Sequence, residues 1–351
     1  MTPACVIQIG GYSGSGKTAL IRRALRELKG EGLYVGVLKH AHHRLELDRE
    51  GKDTDMFYRE GADFVFAHDA QQGFARYPFA GAGLRDALER IPRGLDLVLV
   101  EGHKHSDMPG IWLEKKMGVK TPHTKAGRIL YRDDPRYLEK LLLFIHEELS
   151  RSQAERPLRA GLLVGGKSLR MGRSKALLKV RGETLVERSL NTLSGAAGRV
   201  VLLGPAELPR SLKNAARLPD VPGAAGPMAG MLSAFRWDPD CAWIISAVDL
   251  PLMHKKAWKW LLDQRRPGVW AVLPRLKDSR KVETTGACYE PMIFGYIGLL
   301  AGKGLSRLQE IAGHPKVITP LIPDSLASAW KNVNTEEDWK QALALAGKKT
   351  S

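Results

Sequence analysis

The sequence predicts an α/β protein made of two three-layer domains. Three observations carry this. The chain has 351 residues, more than a single domain of roughly 100–200 residues needs. Short apolar runs of strand type alternate with helical segments along its length, the pattern of sheets covered by helices. The alternation is interrupted at RSQAERP (151–157), polar and ending in proline, and then restarts. The expected division is 1–150, a linker over 151–157, and 158–351.

In the first half, ACVIQIG (4–10) reads as a strand. A helix follows over 18–29, because Ala19, Leu20, Ala24, Leu25 and Leu28 share one face and Gly30 stops it. LYVGVLKH (33–40) reads as a second strand. LDLVLVEG (95–102) reads as a third, continuously apolar as a buried parallel strand should be. A helix over 134–149 closes this half. In the second half, strands are expected at 159–164, 199–203, 241–249 and 269–273. Helices are expected near 184–193, 227–236 and 254–264. A last helix opens at Thr335, with Glu337 and Asp338 in the first turn where acids suit the helix dipole. Trp237, Trp243, Trp258 and Trp260 fall at spacings that suit core packing or amphipathic burial.

Composition narrows the function. No run of roughly 18 apolar residues appears, so no segment is expected to span a membrane. MTPACVIQIGG has no basic stretch ahead of a long apolar core, so no signal peptide is expected. Cys5, Cys241 and Cys288 are odd in number and far apart, which suits buried reduced thiols and a cytoplasmic location. The net charge is +16, unevenly spread. Residues 1–155 hold 24 basic and 22 acidic side chains; residues 156–351 hold 30 and 16, a net +14. Such a field attracts anions. The basic residues are scattered and not interleaved with aromatics, so small phosphates are expected, not nucleic acid.

GGYSGSGKT carries the Walker A spacing, Gly11-x4-Gly16-Lys17-Thr18, between a strand and a helix. Glycines at 11, 14 and 16 let backbone amides curl around phosphate oxygens. Lys17 reaches the β- and γ-phosphates, and Thr18 offers a hydroxyl to Mg²⁺. The acidic partner should end an apolar strand, which selects Glu101; Asp96 begins the same strand and reads as a strand-start residue. This half is thus expected to be P-loop NTPase-like. His40, His42 and His43 cluster after the second strand, with His103 and His105 after the third. They suit either a metal site or a solvated polar loop beside the phosphate site.

The ordered set GGYSGSGKT, VLKHAHH, GKDTDMFYREGA and DLVLVEGHK resembles the MobB family, the P-loop adaptor of molybdenum cofactor maturation, over residues 1–150. The resemblance implies GTP binding, weak or no independent turnover, and a homodimer. His103 stands where that family usually has Phe.

LLVGGKSLRMGRSK (162–175) is a second glycine-rich turn, without GKT. Gly165 and Gly166 admit backbone amides to a nucleotide, and Arg170 and Lys175 bring cations to its phosphates. This suits attack on an α-phosphate, where charge builds on non-bridging oxygens and on leaving pyrophosphate. Asp249, ending the run SAVD, is a hard ligand for Mg²⁺. The set resembles the MobA family, nucleotidyltransferases that attach GMP to molybdopterin, over residues 158–346. The chain keeps Gly165, Gly166, Ser168, Arg170, Met171, Gly172, Lys175, Leu177 and Leu178 of its leading motif. It also has GPMAGM (226–231) and NVNTEEDW (332–339).

The resemblance implies a Rossmann-like nucleotidyltransferase domain. Its nucleotide site runs along Leu163, Val164, Gly165, Gly166, Lys175, Asp220 and Asp249, with Arg170, Lys175 and Asp249 catalytic. Asp249 and Asn334 are implied metal contacts here, as Thr18 and Glu101 are at the first site. GTP and molybdopterin or Mo-molybdopterin are the implied substrates, with molybdenum-insertion proteins and apo-molybdoenzymes as further partners. Val164 and Ser174 depart from the family's Ala and Asp, and LLGPAE (202–207) lacks its Asn, so cytosine stays open beside guanine. A P-loop GTPase or metal-cofactor chaperone with a non-catalytic second half is the alternative from another class.

Overall fold

The computed structural model describes residues 4–40, 50–79, 83–103, 107–117, 128–165, 174–304 and 308–347. The first domain runs β1 (Cys5–Gly11), α1 (Lys17–Gly30), β2 (Val35–Lys39), α2 (Asp53–Arg59), β3 (Val65–His68) and β4 (Gly73–Arg76). It continues through α3 (Leu84–Glu89), β5 (Leu97–Glu101), β6 (Gly110–Glu114), β7 (Arg128–Tyr131) and α4 (Tyr137–Glu155). Five strands form a parallel sheet in the order β2-β5-β1-β6-β7, and β3 and β4 form a separate antiparallel pair.

Alternation along the strands builds the layers. Cys5, Ile7 and Ile9 of β1, with Leu97 and Leu99 of β5, pack under α1 and α4. Val6, Val98 and Val100 point the other way, toward Leu84 and Leu88 of α3. The helix expected over 134–149 continues to Glu155. Residues 151–155 of the expected linker are therefore its last turn and a half, and only Arg156 and Pro157 separate it from the next strand. The polar side chains there reflect a solvated helix face, which composition alone does not tell from a loop.

The second domain runs β8 (Leu158–Leu163), β9 (Lys179–Val180), β10 (Glu183–Thr184), α5 (Leu185–Ser194), β11 (Arg199–Leu203), β12 (Arg217–Leu218), α6 (Pro227–Trp237) and β13 (Ala242–Ala247). Then come α7 (Lys255–Leu262), β14 (Ala271–Val272), β15 (Ala287–Tyr289), α8 (Phe294–Gly302), β16 (Val317–Ile318) and α9 (Glu336–Gly347). Its sheet is ordered β12-β11-β8-β13-β15-β14-β16, and β15 is antiparallel to both neighbours. Helices α6 and α8 cover one face through Trp243 and Ile245, and α5 and α7 cover the other through Leu162 and Ile244. A capping box starts α5: the Thr184 hydroxyl accepts from the Glu187 amide, and Glu187 accepts from the Thr184 amide at 3.0 Å.

Trp243 and Trp258 are buried as expected, but Trp237 is 39% exposed beneath the guanidinium groups of Arg159 and Arg199. All three cysteines are buried and free. Among the described residues, no helix is long and apolar enough to cross a membrane.

Candidate functional site

Both sheets place glycine turns at the carboxyl ends of their parallel strands, where open α/β sheets bind ligands. After β1, Gly11, Gly14 and Gly16 adopt φ of 145°, 71° and 100°, a region glycine enters without strain. A Cβ at Gly11 would also lie 2.7 Å from the Leu113 carbonyl oxygen. The turn feeds the start of α1 at Lys17, whose free amides favour an anion. Lys17 Nζ donates to the carbonyls of Gly11 (3.0 Å) and Tyr12 (2.7 Å), which lays the ammonium along the loop. Thr18 Oγ1 donates to Glu101 Oε1 at 3.0 Å, so β5 does bring its terminal acid to the loop. That pair of hard oxygens suits Mg²⁺.

Lys115 and Arg132 also border this loop. Lys115 Nζ would stand 3.9 Å from a Cβ at Gly14, and the Arg132 side chain would stand 3.1 Å from one at Gly16. They follow β6 and β7, strands that no motif announces. Of the histidine cluster, His40 and His103 meet with ring centroids 4.5 Å apart. Burial, then the nearby His40, holds His103 below the usual imidazole range. His42, His43 and His105 lie outside the described residues. Among those described, no group of three or more His, Cys, Asp or Glu side chains could hold a metal.

The second site is a cavity of about 710 Å³ over the carboxyl ends of β8, β11, β12 and β13. Leu163, Val164, Gly165, Lys175, Asp220, Asp249 and Asn334 all line it. Gly166 and Arg170, with Ser168, Met171 and Gly172, lie outside the described residues. The loop after β12 brings in Asp220, whose carboxylate packs against the backbone of Gly204 and Gly230; a Cβ at Gly204 would meet its Oδ1 at 3.1 Å. Gly226 at φ 61° turns the chain into α6, with Pro227 at the first helical positions, so a helix start faces the same space.

The charged centre lies deeper. Asp249 directly follows β13, and its carbonyl accepts from the Val333 amide at 2.9 Å, which pins the late NVNT segment to the sheet. Lys175 Nζ lies 3.7 Å from Asp249 Oδ2 and donates to Asn334 Oδ1 at 2.8 Å. Three residues far apart in sequence thus form one cluster. Asp249 Oδ1 is sealed from solvent with no hydrogen-bond partner. Burial raises the Asp249 carboxyl above its usual range, and the Lys175 ammonium opposes the rise. A buried carboxylate oxygen without a donor is costly, and a hard divalent cation bound there would relieve it. The donor set therefore fits Mg²⁺.

Glu283 is the residue that sequence reasoning passed over. Its segment precedes the antiparallel β15, which has no helical or alternating signature. Gln309 grips Val282 through both amide and carbonyl, at 2.9 and 2.7 Å, and the Glu283 amide donates to the Pro274 carbonyl at 2.7 Å. Thr284 and Thr285 line the nucleotide-sized cavity. Glu283 lines an adjoining one of about 330 Å³, and the two cavities share Asn332. Burial, then the charge of Asp249, pushes the Glu283 carboxyl up to about 7.

Known proteins match both halves. The MobA-like NTP transferase domain family matches residues 160–345, and the family of molybdopterin guanine dinucleotide synthesis protein B matches residues 6–130. A molybdopterin-guanine dinucleotide biosynthesis adapter protein of Haemophilus influenzae is 35% identical over 113 residues, 32% of this chain and 64% of that protein. A probable molybdenum cofactor guanylyltransferase of Deinococcus radiodurans is 29% identical over 183 residues, 52% of this chain and 92% of that protein. The crystal structure of molybdopterin-guanine dinucleotide biosynthesis protein A from Archaeoglobus fulgidus superposes with a TM-score of 0.47 at 20% identity, covering 54% of this chain and all of that one. The chain spans 54% to 64% of the length of the first curated relatives it matches. With more than half its length matched by one family and most of the remainder by another, the chain belongs to the MobA-like NTP transferase family and carries a MobB domain ahead of it.

Proposed function

We propose that the chain is a molybdenum cofactor guanylyltransferase, transferring GMP from GTP to the phosphate of molybdopterin or Mo-molybdopterin and releasing pyrophosphate. The observation that carries this reading is the convergence of Lys175, Asp249 and Asn334 on one cavity roofed by the Gly165 turn and the start of α6. An acceptor phosphate oxygen attacks the α-phosphorus in line, and the bond from that phosphorus to the bridging oxygen of pyrophosphate breaks. The acceptor oxygen is already ionised near neutral pH, so no side chain needs to remove a proton. The protein's work is positioning and charge. Asn334 holds the Lys175 ammonium from one side, which aims it across Asp249 at the phosphates. Asp249 would hold Mg²⁺, which supplies positive charge to the non-bridging oxygens. Arg170 adds a second cation to the phosphates. Asp220, set against glycine backbone, lines the nucleoside end.

The first domain, which closes with α4, is an accessory GTP-binding module, with Lys17 on the phosphates and Thr18 and Glu101 on Mg²⁺; the second domain does the chemistry. The test is pyrophosphate release by the purified chain with Mg²⁺ and molybdopterin, offering GTP, CTP and ATP separately. Release with GTP, lost in Asp249→Ala and kept in Lys17→Ala, is the expected outcome. Release with CTP alone would move the base assignment. Phosphate release from GTP that needs Lys17, with no pyrophosphate from any nucleotide, would transfer the activity to the first domain.

A further inference from the structure

The contacts between the two domains share one feature. Among the described residues, those of the first domain come from the loops that precede β2 and β5 and from the end of α4. Asp96, just before β5, accepts from Lys316 Nζ (2.5 Å), Trp270 Nε1 (2.6 Å) and the Tyr34 amide (2.7 Å). Its side chain is 1% exposed and that of Lys316 is 5% exposed. The Tyr34 ring stands edge-on to Trp270, and Lys316 Nζ sits 4.7 Å from its centroid. Arg93 donates to the Pro239 carbonyl at 2.7 Å and pairs with Asp240. At the join, Arg156 and Arg265 both clamp the buried Glu290 at 2.8 Å.

In the second domain these partners occupy equivalent places. Asp240 precedes β13, Trp270 precedes β14 and Lys316 precedes β16, while Glu290 follows the antiparallel β15. Each is therefore at the amino-terminal edge of the parallel strands. The two sheets meet base to base. The Walker loop follows β1 and Glu101 ends β5; Gly165 follows β8 and Asp249 follows β13. Both nucleotide sites thus lie at the far ends of their sheets, each separated from the shared base by a strand length on the order of 20 Å. The connection is no tether either, because α4 runs to Glu155 and β8 begins at Leu158.

We infer that the two nucleotide sites of one chain serve separate molecules, and that the Asp96–Lys316 lock holds them apart. Among the described residues, the P-loop site contributes no group to the transferase site of its own chain, and it passes that site no ligand directly. Fusion therefore does not act by raising the effective concentration of one site at the other, which needs a linker that lets the sites meet. The identity of the second site as a transferase rests on the function proposed above; the separation does not.

The test is a distance measurement on the full chain. The native thiols suit it: burial pushes Cys5 and Cys288 up to about 12 and Cys241 up to about 11, so they resist labelling. Spin labels go on the double variant Lys39→Cys/Glu207→Cys, at exposed positions, the last residue of β2 and the loop after β11. The expected result is one narrow distance peak beyond about 30 Å, from two strand lengths, unmoved by Mg²⁺ and GTP. A peak that shortens below about 20 Å with nucleotide, or a broad distribution without it, overturns the inference. In Asp96→Ala the peak should broaden and thermal unfolding should split into two transitions. Asp96→Asn keeps the hydrogen-bond acceptor and removes the charge, and it should broaden the peak less. If both variants keep the narrow peak and a single transition, Asp96 is not the lock. Absence of pyrophosphate release would undo the transferase reading and leave these distances unchanged.

Discussion

Asp249 and Glu283 are two carboxylates in one neighbourhood with different partners. Asp249 faces Lys175, and one of its oxygens is sealed and unmatched. Replacing it with Ala should lower pyrophosphate release by about 10²–10³-fold, the usual cost of losing one preorganised charge-stabilising group. A change within tenfold in steady-state assays would remove Asp249 from the reaction centre. Glu283 gives a stability prediction in metal-free buffer. Its carboxyl titrates near 4.5 when unfolded and about 7 when folded. Between those values the folded chain keeps a proton that the unfolded chain has lost, so stability falls as pH rises through that window. Glu283→Gln removes the penalty. Its melting temperature should exceed the parent's above pH 7, by about 2–4 °C per kcal/mol regained, and the two should converge below pH 4.5. Equal melting curves at pH 8 would show that Glu283 is not held in its raised state.

At the scale of elements, β15 shows why short buried strands escape notice. Three residues, Ala287–Tyr289, give no periodicity, yet they fix the wall that carries Thr284 and Thr285 into the cavity. Gly286 makes the turn. It sits at φ 74°, a Cβ there would lie 2.7 Å from Trp330 Nε1, and that indole donates to the Gly286 carbonyl at 2.9 Å. Gly286→Ala should cost about 2–5 kcal/mol, from left-handed strain plus the clash, measured by urea unfolding. A loss under 0.5 kcal/mol would mean that the turn relaxes freely. The P-loop was legible for the opposite reason: its glycines, Lys17 and Thr18 are contiguous, so one local motif contains its geometry.

Across the whole molecule, the buried Asp96–Lys316 pair is the feature that sequence position alone misreads. As the residue before an apolar strand, Asp96 looks like a strand-start acid; in the fold it anchors the other domain. Asp96→Ala leaves the Lys316 ammonium buried without its partner, and chemical denaturation should show a loss of about 3–5 kcal/mol. Asp96→Asn with Lys316→Met removes both charges and keeps an acceptor for Trp270, so it should recover more than half of that loss. A double variant no more stable than Asp96→Ala would show that the ion pair is not what joins the domains.

The sequence by itself determined the two α/β domains, the Walker loop, and Glu101, Lys175 and Asp249 as candidate site residues. Each rests on short-range pattern: apolar runs, glycines at turn spacing, a charged residue ending a strand. Only the tertiary structure decided that Lys175 rests between Asp249 and Asn334, that Glu283 adjoins them, and that residues 151–155 extend a helix instead of forming a tether. It also decided that the sheets dock by their amino-terminal edges. The physical reason is common to all of these. Each depends on contacts between segments distant in sequence, and burial and charge pairing arise only once the sheets have brought those segments together.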